Sequence, residues 1–314
     1  MTAAHPRLSI NQATIKHASL ADALRATGDA GVPAIGLWRE PVAEVGLAEA
    51  VRMVADSGLR VSSLCRGGFF TAPPGPERRA ALDDNRRAID ETAALAAAGA
   101  PGSAAVLVLV AGGLPAGSTD LPGARLRVAE AIAELEPEAR AAGVTLAIEP
   151  LHPMYAADRA VVSTLAQALD LADPFPAASV GVAVDTFHIW WDPDVLPQIA
   201  RAGASGRIAT YQVCDFLTPI PADALLARGL PGDGHIDFAL LTEAVEATGY
   251  TGDVEVEIFN ADLWAAPPVE AVARTVEAFG RYVPLGERGG AGEGETGAAA
   301  SVAAGHAANP AVAG

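Results

Sequence analysis

The stretch Val180-Gly-Val-Ala-Val-Asp-Thr-Phe-His188 is an apolar run that ends abruptly in a carboxylate, with a histidine three residues later. Three further runs end in a similar way: Thr145-Leu-Ala-Ile-Glu149, Ile208-Ala-Thr-Tyr-Gln212 and Val254-Glu-Val-Glu257. Short, largely apolar runs are typical of strands buried on both faces of a parallel sheet. The four stretches therefore predict four parallel strands, each with an oxygen-bearing side chain at its carboxyl end.

Outward from these four, strands alternate with amphipathic helices along the whole chain. Earlier candidate strands begin at Leu8, Ala34, Arg60 and Ala104, which gives eight strands, each followed by a helix. Eight such units indicate an α/β protein, a (β/α)8 barrel in a single domain. A doubly wound open sheet is the alternative, but it normally carries a glycine fingerprint after its first strand, and Asn11-Gln-Ala-Thr14 lacks one.

Several local sequence patterns predict where individual strands, helices, loops and the domain begin and end. Strand three is expected to end at Cys65, before a Gly/Pro-rich loop over 66–76, and an irregular insertion is expected over about 216–235. A helix before the sixth strand is expected to carry Val161, Leu165, Leu169 and Ala172 on one face. The barrel domain is predicted over 1–285, and the Gly/Ala-rich segment 286–314 is predicted to be a disordered tail.

Composition narrows the classes of function. The chain has 314 residues, 51% of them hydrophobic, and a formal net charge of −17, which argues against a nucleic-acid partner. Its two cysteines, Cys65 and Cys214, form no metal-binding or disulfide pattern, and no export signal or membrane span is visible. A cytoplasmic protein with a small-molecule partner is the simplest interpretation; the oligomeric state stays open, and a homo-oligomer is compatible with it.

The four strand ends predict a metal site. In a barrel of this type the carboxyl ends of the strands face the open end, so Glu149, Asp185, Gln212 and Glu257 should converge there. Alternation along the strands places small residues such as Ala147 on the same inward side. Three carboxylates crowded together repel one another unless a cation lies between them. Four oxygen ligands favour one divalent ion, Mn, Mg or Co, over zinc.

These residues also carry a family resemblance. The strings that carry it are Ile148-Glu-Pro150, Asp185-Thr-Phe-His188, Gln212-Val-Cys-Asp215, Leu230-Pro-Gly-Asp-Gly-His-Ile-Asp237 and Glu257-Ile-Phe259. Over about residues 8–283 the chain resembles the xylose-isomerase-like sugar isomerase/epimerase barrels, which include ketose 3-epimerases, inosose isomerases and inosose dehydratases. The resemblance implies that Glu149, Asp185 and Glu257 bind the metal. It further implies that the two glutamates form an acid/base pair and that His188 contacts the substrate.

Two features depart from that family. A histidine usually stands where this chain has Gln212, although some branches, dehydratases of cyclic keto-polyols among them, resemble it in having Gln. The 3-epimerases also have a substrate-binding arginine a few residues later, and Phe216-Leu-Thr-Pro-Ile220 offers none. The family's metal-binding role is therefore expected to apply to this chain with more certainty than the family's choice of substrate.

The expected activity is isomerisation or epimerisation of a sugar, keto-sugar or cyclitol through an enediolate. A lyase of the same fold, either a keto-polyol dehydratase or an eliminating deglycosidase, is the alternative, and both Gln212 and the missing arginine favour it. A nuclease of this fold would need more histidine ligands and a basic groove, which the charge of −17 does not suggest.

The loops offer further candidates for substrate binding. Besides His188, these are Trp38 and Arg66 at strand ends, His152 after Glu149, and Trp190. Aromatic side chains suit the faces of a sugar ring and Arg66 suits a carboxylate or hydroxyl, with packing or a structural salt bridge as the alternative for each. Glu255 shares the inward side with Glu257, which predicts a buried basic partner or a bulge in the strand.

Overall fold

The computed structural model describes residues 3–286 and shows a closed barrel of eight parallel strands. The predicted barrel is confirmed, since the last barrel strand pairs with both the first and the seventh. The barrel strands are β1 (Leu8–Asn11), β2 (Ala34–Trp38), β3 (Arg60–Gly68), β4 (Val106–Val110), β5 (Thr145–Glu149), β6 (Val180–Asp185), β7 (Ile208–Val213) and β10 (Val254–Val256). Two short antiparallel strands, β8 (Asp215–Phe216) and β9 (Arg228–Gly229), form a separate hairpin.

Helices cover the outside of the barrel. They are α1 (Leu20–Asp29), α2 (Arg39–Val45), α3 (Leu47–Ser57), α4 (Pro76–Ala98), α5 (Leu121–Ala142), α6 (Leu165–Ala172), α7 (Thr186–Ile189), α8 (Val195–Ala204), α9 (Phe238–Glu246), α10 (Ala261–Ala265) and α11 (Pro268–Tyr282). Several begin at a side chain that accepts a hydrogen bond from the first turn, such as Ser19, Thr164 and Asp237. Within 3–286 no helix combines the length and the apolarity needed to cross a membrane.

Small side chains face the barrel axis and larger ones face the helices. Ala147 lies opposite Gly181, and both flank the larger Leu146, Ile148 and Val182, which are buried. At Gly36 an added Cβ would collide with the carboxylate of Glu255. Glycine at this position therefore makes room for a charged group inside the barrel.

The structure corrects several predicted boundaries. Strand β3 continues to Gly68, so Arg66 lies in a strand and not in the predicted loop. Val161 precedes the cap of α6 at Thr164 and is outside that helix. Glu257 lies one residue beyond the end of β10, and the segment predicted to be irregular contains β9 and one 3-10 turn. The predicted tail, apart from Gly286, lies outside the described residues.

Candidate metal centre and substrate cavity

A cavity of about 660 Å³ opens at the carboxyl ends of the barrel strands. Among its lining residues are four charged or titratable side chains at the centre, Glu149, His188, Arg228 and Glu257. The aromatic part of the wall comes from Trp38, Phe69 and Phe259, and basic residues outside the centre include Lys16, Arg66 and Arg159. A volume of this size suits a small-molecule ligand.

Two cavity-lining residues and one buried beside them offer a set of candidate ligand atoms. One ligand atom each from Glu149, Asp185 and His188 lies within 4.8 Å of the others. All three side chains are buried, and they come from the end of β5, the end of β6 and the helix α7 that follows β6. The turn is fixed locally, since Asp185 Oδ1 accepts a hydrogen bond from the backbone N–H of Phe187. Asp185 Oδ2 stays directed toward His188, at 3.8 Å from its Nε2.

Arg228 joins two of the predicted ligands. Its Nη1 donates to Glu257 Oε2 at 2.8 Å and lies 3.5 Å from Asp185 Oδ2. The arginine is almost fully buried, and its guanidinium packs over the rings of Phe187 and Phe259. Glu257 and Asp185 therefore share one nitrogen of the same cation, which brings their oxygens near each other.

Gln212 and Glu255 form a second polar layer next to this group. The Gln212 amide donates from Nε2 to Glu255 Oε2 at 3.3 Å, while its carbonyl oxygen Oε1 is buried and has no hydrogen-bond partner. Glu255 also accepts from Asn11 Nδ2 at 2.9 Å and from Thr210 Oγ1 at 3.3 Å. The predicted basic partner of Glu255 is wrong, because its hydrogen-bond donors here are neutral.

Burial and mutual repulsion hold these carboxylates away from their ordinary titration range. Burial raises the pKa of Glu149 well above its usual value, and the charges of Glu257 and Asp185 raise it further. Burial raises the pKa of Asp185 to about 6 despite the opposing charge of Arg228. It also raises the pKa of Glu257, again against Arg228. Such shifts indicate a cluster with more negative charge than its surroundings neutralise.

His188 is neutral and its two ring nitrogens face donors. Burial lowers its pKa well below the usual value, and the nearby charge of Arg228 lowers it further. Nδ1 accepts the backbone N–H of His152 at 3.0 Å, while Nε2 lies 3.1 Å from Nη2 of Arg228. A neutral imidazole has one lone pair in the ring plane for accepting, so only one of the two contacts can be a hydrogen bond. The Arg228 side chain is thus incompletely satisfied here, and its Nε is also without a partner.

The residues predicted to bind substrate, besides His188, divide into two groups by whether they line the cavity. Trp38 and Arg66 line the cavity together with His188, and Trp38 Nε1 donates to Asn11 Oδ1 at 2.7 Å. The cavity lining does not include His152 or Trp190, which pack against Phe216 on the hairpin. Contact of those two side chains with a substrate remains a prediction.

Arg228 is the residue that reasoning from the sequence missed. It stands directly before the Gly229-Leu-Pro-Gly232 turn, and β8–β9 pairing places it opposite Phe216. Its carbonyl accepts from Asn260 Nδ2 at 2.9 Å. Arginine immediately before this turn motif is the one local signal that could have pointed to it.

One buried carboxylate holds the turn after the hairpin. Asp215 accepts backbone N–H groups from Phe216, Gly232, Gly234 and Ile236 at 2.7–3.0 Å. The Leu230–Asp237 string therefore has a structural role here, and its His235 lies exposed beside Thr218.

The donor set fits a divalent cation. Glu149, Asp185, Glu255 and Glu257 are all buried, and among the described residues Arg228 is the only arginine or lysine that forms a salt bridge with any of them. The unpartnered carbonyl oxygen of Gln212 adds a neutral donor of the kind that hard cations accept. The third member of the cluster, His188, has its accepting nitrogen Nδ1 engaged by the backbone N–H of His152, so its Nε2–H suits a substrate oxygen.

Comparison with known proteins places the chain among enzymes of one fold. A family profile described as xylose isomerase-like TIM barrel matches residues 24–282. Among curated relatives are an epimerase, an isomerase and a dehydratase. An L-ribulose 3-epimerase from Mesorhizobium japonicum is 29% identical over 138 residues, which is 44% of this chain and 41% of that enzyme. This chain thus matches less than half of that relative's length.

Two solved structures extend the comparison. Protein SMc04130 from Sinorhizobium meliloti is 50% identical, has a TM-score of 0.83, and the match covers 88% of this chain and 98% of that one. A zinc-bound IolI protein has a TM-score of 0.74 at 20% identity, over 89% of this chain and 100% of that one. At that identity the second likeness shows the fold alone. The profile match covers most of the chain, and the protein belongs to the xylose isomerase-like TIM barrel family.

Proposed function

We propose that this protein is a divalent-metal-dependent isomerase or epimerase that acts on a sugar, keto-sugar or cyclitol. The observation that carries the proposal is the cluster of Glu149, Asp185 and His188, whose candidate ligand atoms lie within 4.8 Å of one another, with Glu149 and His188 lining the cavity. Its ligands would be Glu149, Asp185, Gln212 and Glu257, with Mn, Mg or Co as the metal. When bound, such an ion supplies a Lewis acid for the substrate carbonyl.

The chain's own groups can account for the proton transfers. One of Glu149 and Glu257 removes the proton from the carbon next to the carbonyl, and the electron pair passes to the carbonyl oxygen to give an enediolate. The other glutamate returns a proton. Delivery to the neighbouring carbon gives isomerisation, and delivery to the opposite face of the same carbon gives epimerisation. Arg228 orients the Glu257 carboxylate, while neutral His188 can hold a substrate oxygen.

Binding of a divalent metal is expected to raise the melting temperature of the protein substantially. Adding Mn at about 100 times its Kd contributes about 2.7 kcal/mol of stability, which raises the Tm by about 5–10 °C in a domain of this size. Differential scanning fluorimetry with EDTA and then with Mn, Mg, Co or Zn measures the shift. The Asp185→Asn variant should lose most of it, and Glu136→Gln, a buried glutamate on α5 bonded to Ser179, should keep it. If none of the four ions raises the Tm of the wild-type protein, the proposed metal site is contradicted.

The reaction itself is tested with a panel of ketoses, inososes and 3-keto-glycosides. The metal-loaded protein is incubated with each compound in heavy water, and products are followed by NMR. Solvent deuterium at the carbon next to the carbonyl, with loss of turnover in EDTA, is the expected result. A new alkene or a lost water identifies the lyase alternative, in which the same proton is removed and a β-hydroxyl then leaves. Absence of deuterium exchange from every compound in the panel, with metal bound, argues against enediolate chemistry on these substrate classes.

A further inference from the structure

The outer cavity wall carries a cation that the reaction described above does not use. Arg66 lies at half-buried depth in β3, with its guanidinium 5.6 Å from the ring centroid of Trp38 and 4.9 Å from that of Phe69. Among residues 3–286 no carboxylate oxygen lies within 4.0 Å of it, and no protein group accepts a hydrogen bond from it. None of its nitrogens is among the buried polar atoms without a partner, so the N–H groups face the cavity and are accessible to a ligand.

The same wall holds the only lysine in the 314-residue sequence. The Lys16 ammonium lies 4.8 Å from the ring centroid of Trp264 and 5.9 Å from that of Phe259. Within the described part of the chain it too has no carboxylate oxygen within 4.0 Å. Arginines on the outer helices contrast with this, since Arg39 pairs with Asp84 and Glu91 in a chain of net charge −17.

Aromatic rings connect the two cations along one side of the cavity. Trp38 packs edge-on against Phe259 with ring centroids 5.6 Å apart, and Phe259 packs against Trp264 at 5.7 Å. Arg66 lies over the first of these rings and Lys16 over the last, and the charge of Arg66 helps to lower the pKa of Glu257 against the effect of burial. The positive side of the cavity therefore adjoins the reacting centre.

Acidic residues on the rim do not neutralise this side. Glu40 and Glu44 line the same cavity from α2, but neither forms a salt bridge with Arg66 or Lys16. Asp158 at another part of the lining pairs with Arg159 at 3.3 Å. Both cations on the aromatic wall are thus left available to a ligand.

We propose that the substrate carries an acid group, a carboxylate or a phosphate monoester, which Arg66 binds directly and Lys16 attracts from the rim. The inference rests on the proposed function for the polyhydroxylated part of the substrate. The carbon skeleton then lies along Trp38 and Phe259, with its reacting carbons at Glu149 and Glu257. A planar guanidinium binds a carboxylate or phosphate through two parallel hydrogen bonds, whereas a lysine acts as a point charge.

Three ring polyols of similar size provide the test: myo-inositol, quinate and myo-inositol 1-phosphate. Binding to the full chain is measured through tryptophan fluorescence, with Trp38 as the reporter in the cavity, both in EDTA and in Mn. Wild-type protein should bind at least one acidic probe about tenfold or more tightly than myo-inositol. Arg66→Gln should remove this preference while leaving myo-inositol affinity within about twofold. Lys16→Met should cost about threefold, an effect that disappears in high salt.

Arg79→Gln is the matched control, since it removes one positive charge from an exposed position on α4 outside the cavity lining. It should leave all three affinities unchanged. Tighter binding of quinate identifies a carboxylate, and tighter binding of the phosphate identifies a phosphate monoester. Equal affinity for neutral and acidic probes, or equal losses for both in Arg66→Gln, overturns the proposal. The preference for acidic probes is measured in EDTA as well as in Mn. The acid-group proposal can therefore fail while the protein still binds metal, and metal binding can fail while the preference for acidic probes remains.

Discussion

Glu149→Gln is expected to lower kcat by about 10²–10⁴-fold on whichever substrate of the panel is turned over, since proton transfer by a positioned side chain contributes about that much. The same loss is expected for Glu257→Gln. Glutamine keeps the size of the side chain and one carbonyl oxygen but cannot take up or release the proton. Both side chains line the cavity and glutamine fills the same space, so neither change should alter the packing of the strands, but Glu257→Gln also removes a charge that pairs with Arg228.

Deuterium exchange separates the two roles. If one glutamate removes the proton and the other returns it, the variant that keeps the first should still exchange the substrate proton with heavy water while forming little product. The other variant should lose both exchange and product. Metal content is measured for each, and Glu136→Gln serves as the control outside the cavity. Turnover near the wild-type rate in either active-site variant removes that glutamate from the acid/base pair.

Arg228→Met is expected to lower the free energy of unfolding by about 3–5 kcal/mol in EDTA, the usual cost of removing one partner from a buried ion pair. Methionine fills part of the space against Phe187 and Phe259, so the loss comes chiefly from leaving Glu257 and Asp185 without their counter-charge. Urea denaturation in EDTA measures it. Arg201→Met, which removes a more exposed arginine bridging Asp170 and Asp173, should cost about 1 kcal/mol or less.

Metal should compensate the Arg228 variant more than the wild type. Arg228 occupies positions next to Glu257 and Asp185 that a cation bound by the same oxygens would also use. Removing the guanidinium leaves two buried carboxylates without a counter-charge, which either take up protons or bind a cation, so the stabilisation by Mn should be larger than in wild-type protein. An Arg228→Met protein as stable as the wild type in EDTA would show that the ion pair contributes nothing net.

The barrel could be predicted from the sequence because its signals are local. A strand such as Thr145–Glu149 alternates small and large apolar residues, and its end is marked by the first charged side chain. The same signal placed Glu149 and Asp185 at one end of the barrel, where the structure brings their oxygens together with His188. The capping of α1 by Ser19 was equally readable, since it involves residues only three apart.

Arg228 could not be predicted because its position depends on pairing between distant, very short strands. Two residues in β8 and two in β9 give no periodic pattern. Glu255 was misjudged for a related reason, since its partners come from two strands, Asn11 from β1 and Thr210 and Gln212 from β7, and none is basic. Strand β3 was cut short at Cys65 because the glycines beyond Arg66 indicate a loop, whereas here they pair with β4.

The hairpin arm after β7 is held at each end by hydrogen bonds to buried groups. Asp215 anchors the turn on one side, and Asn260 holds the carbonyl of Arg228 on the other. The intervening residues include Leu225, which reaches the cavity wall. We therefore expect changes in the length or sequence of residues 217–227, made in chimeras or by directed evolution, to alter ligand preference. Asp215, Asn260 and Arg228 would have to be kept.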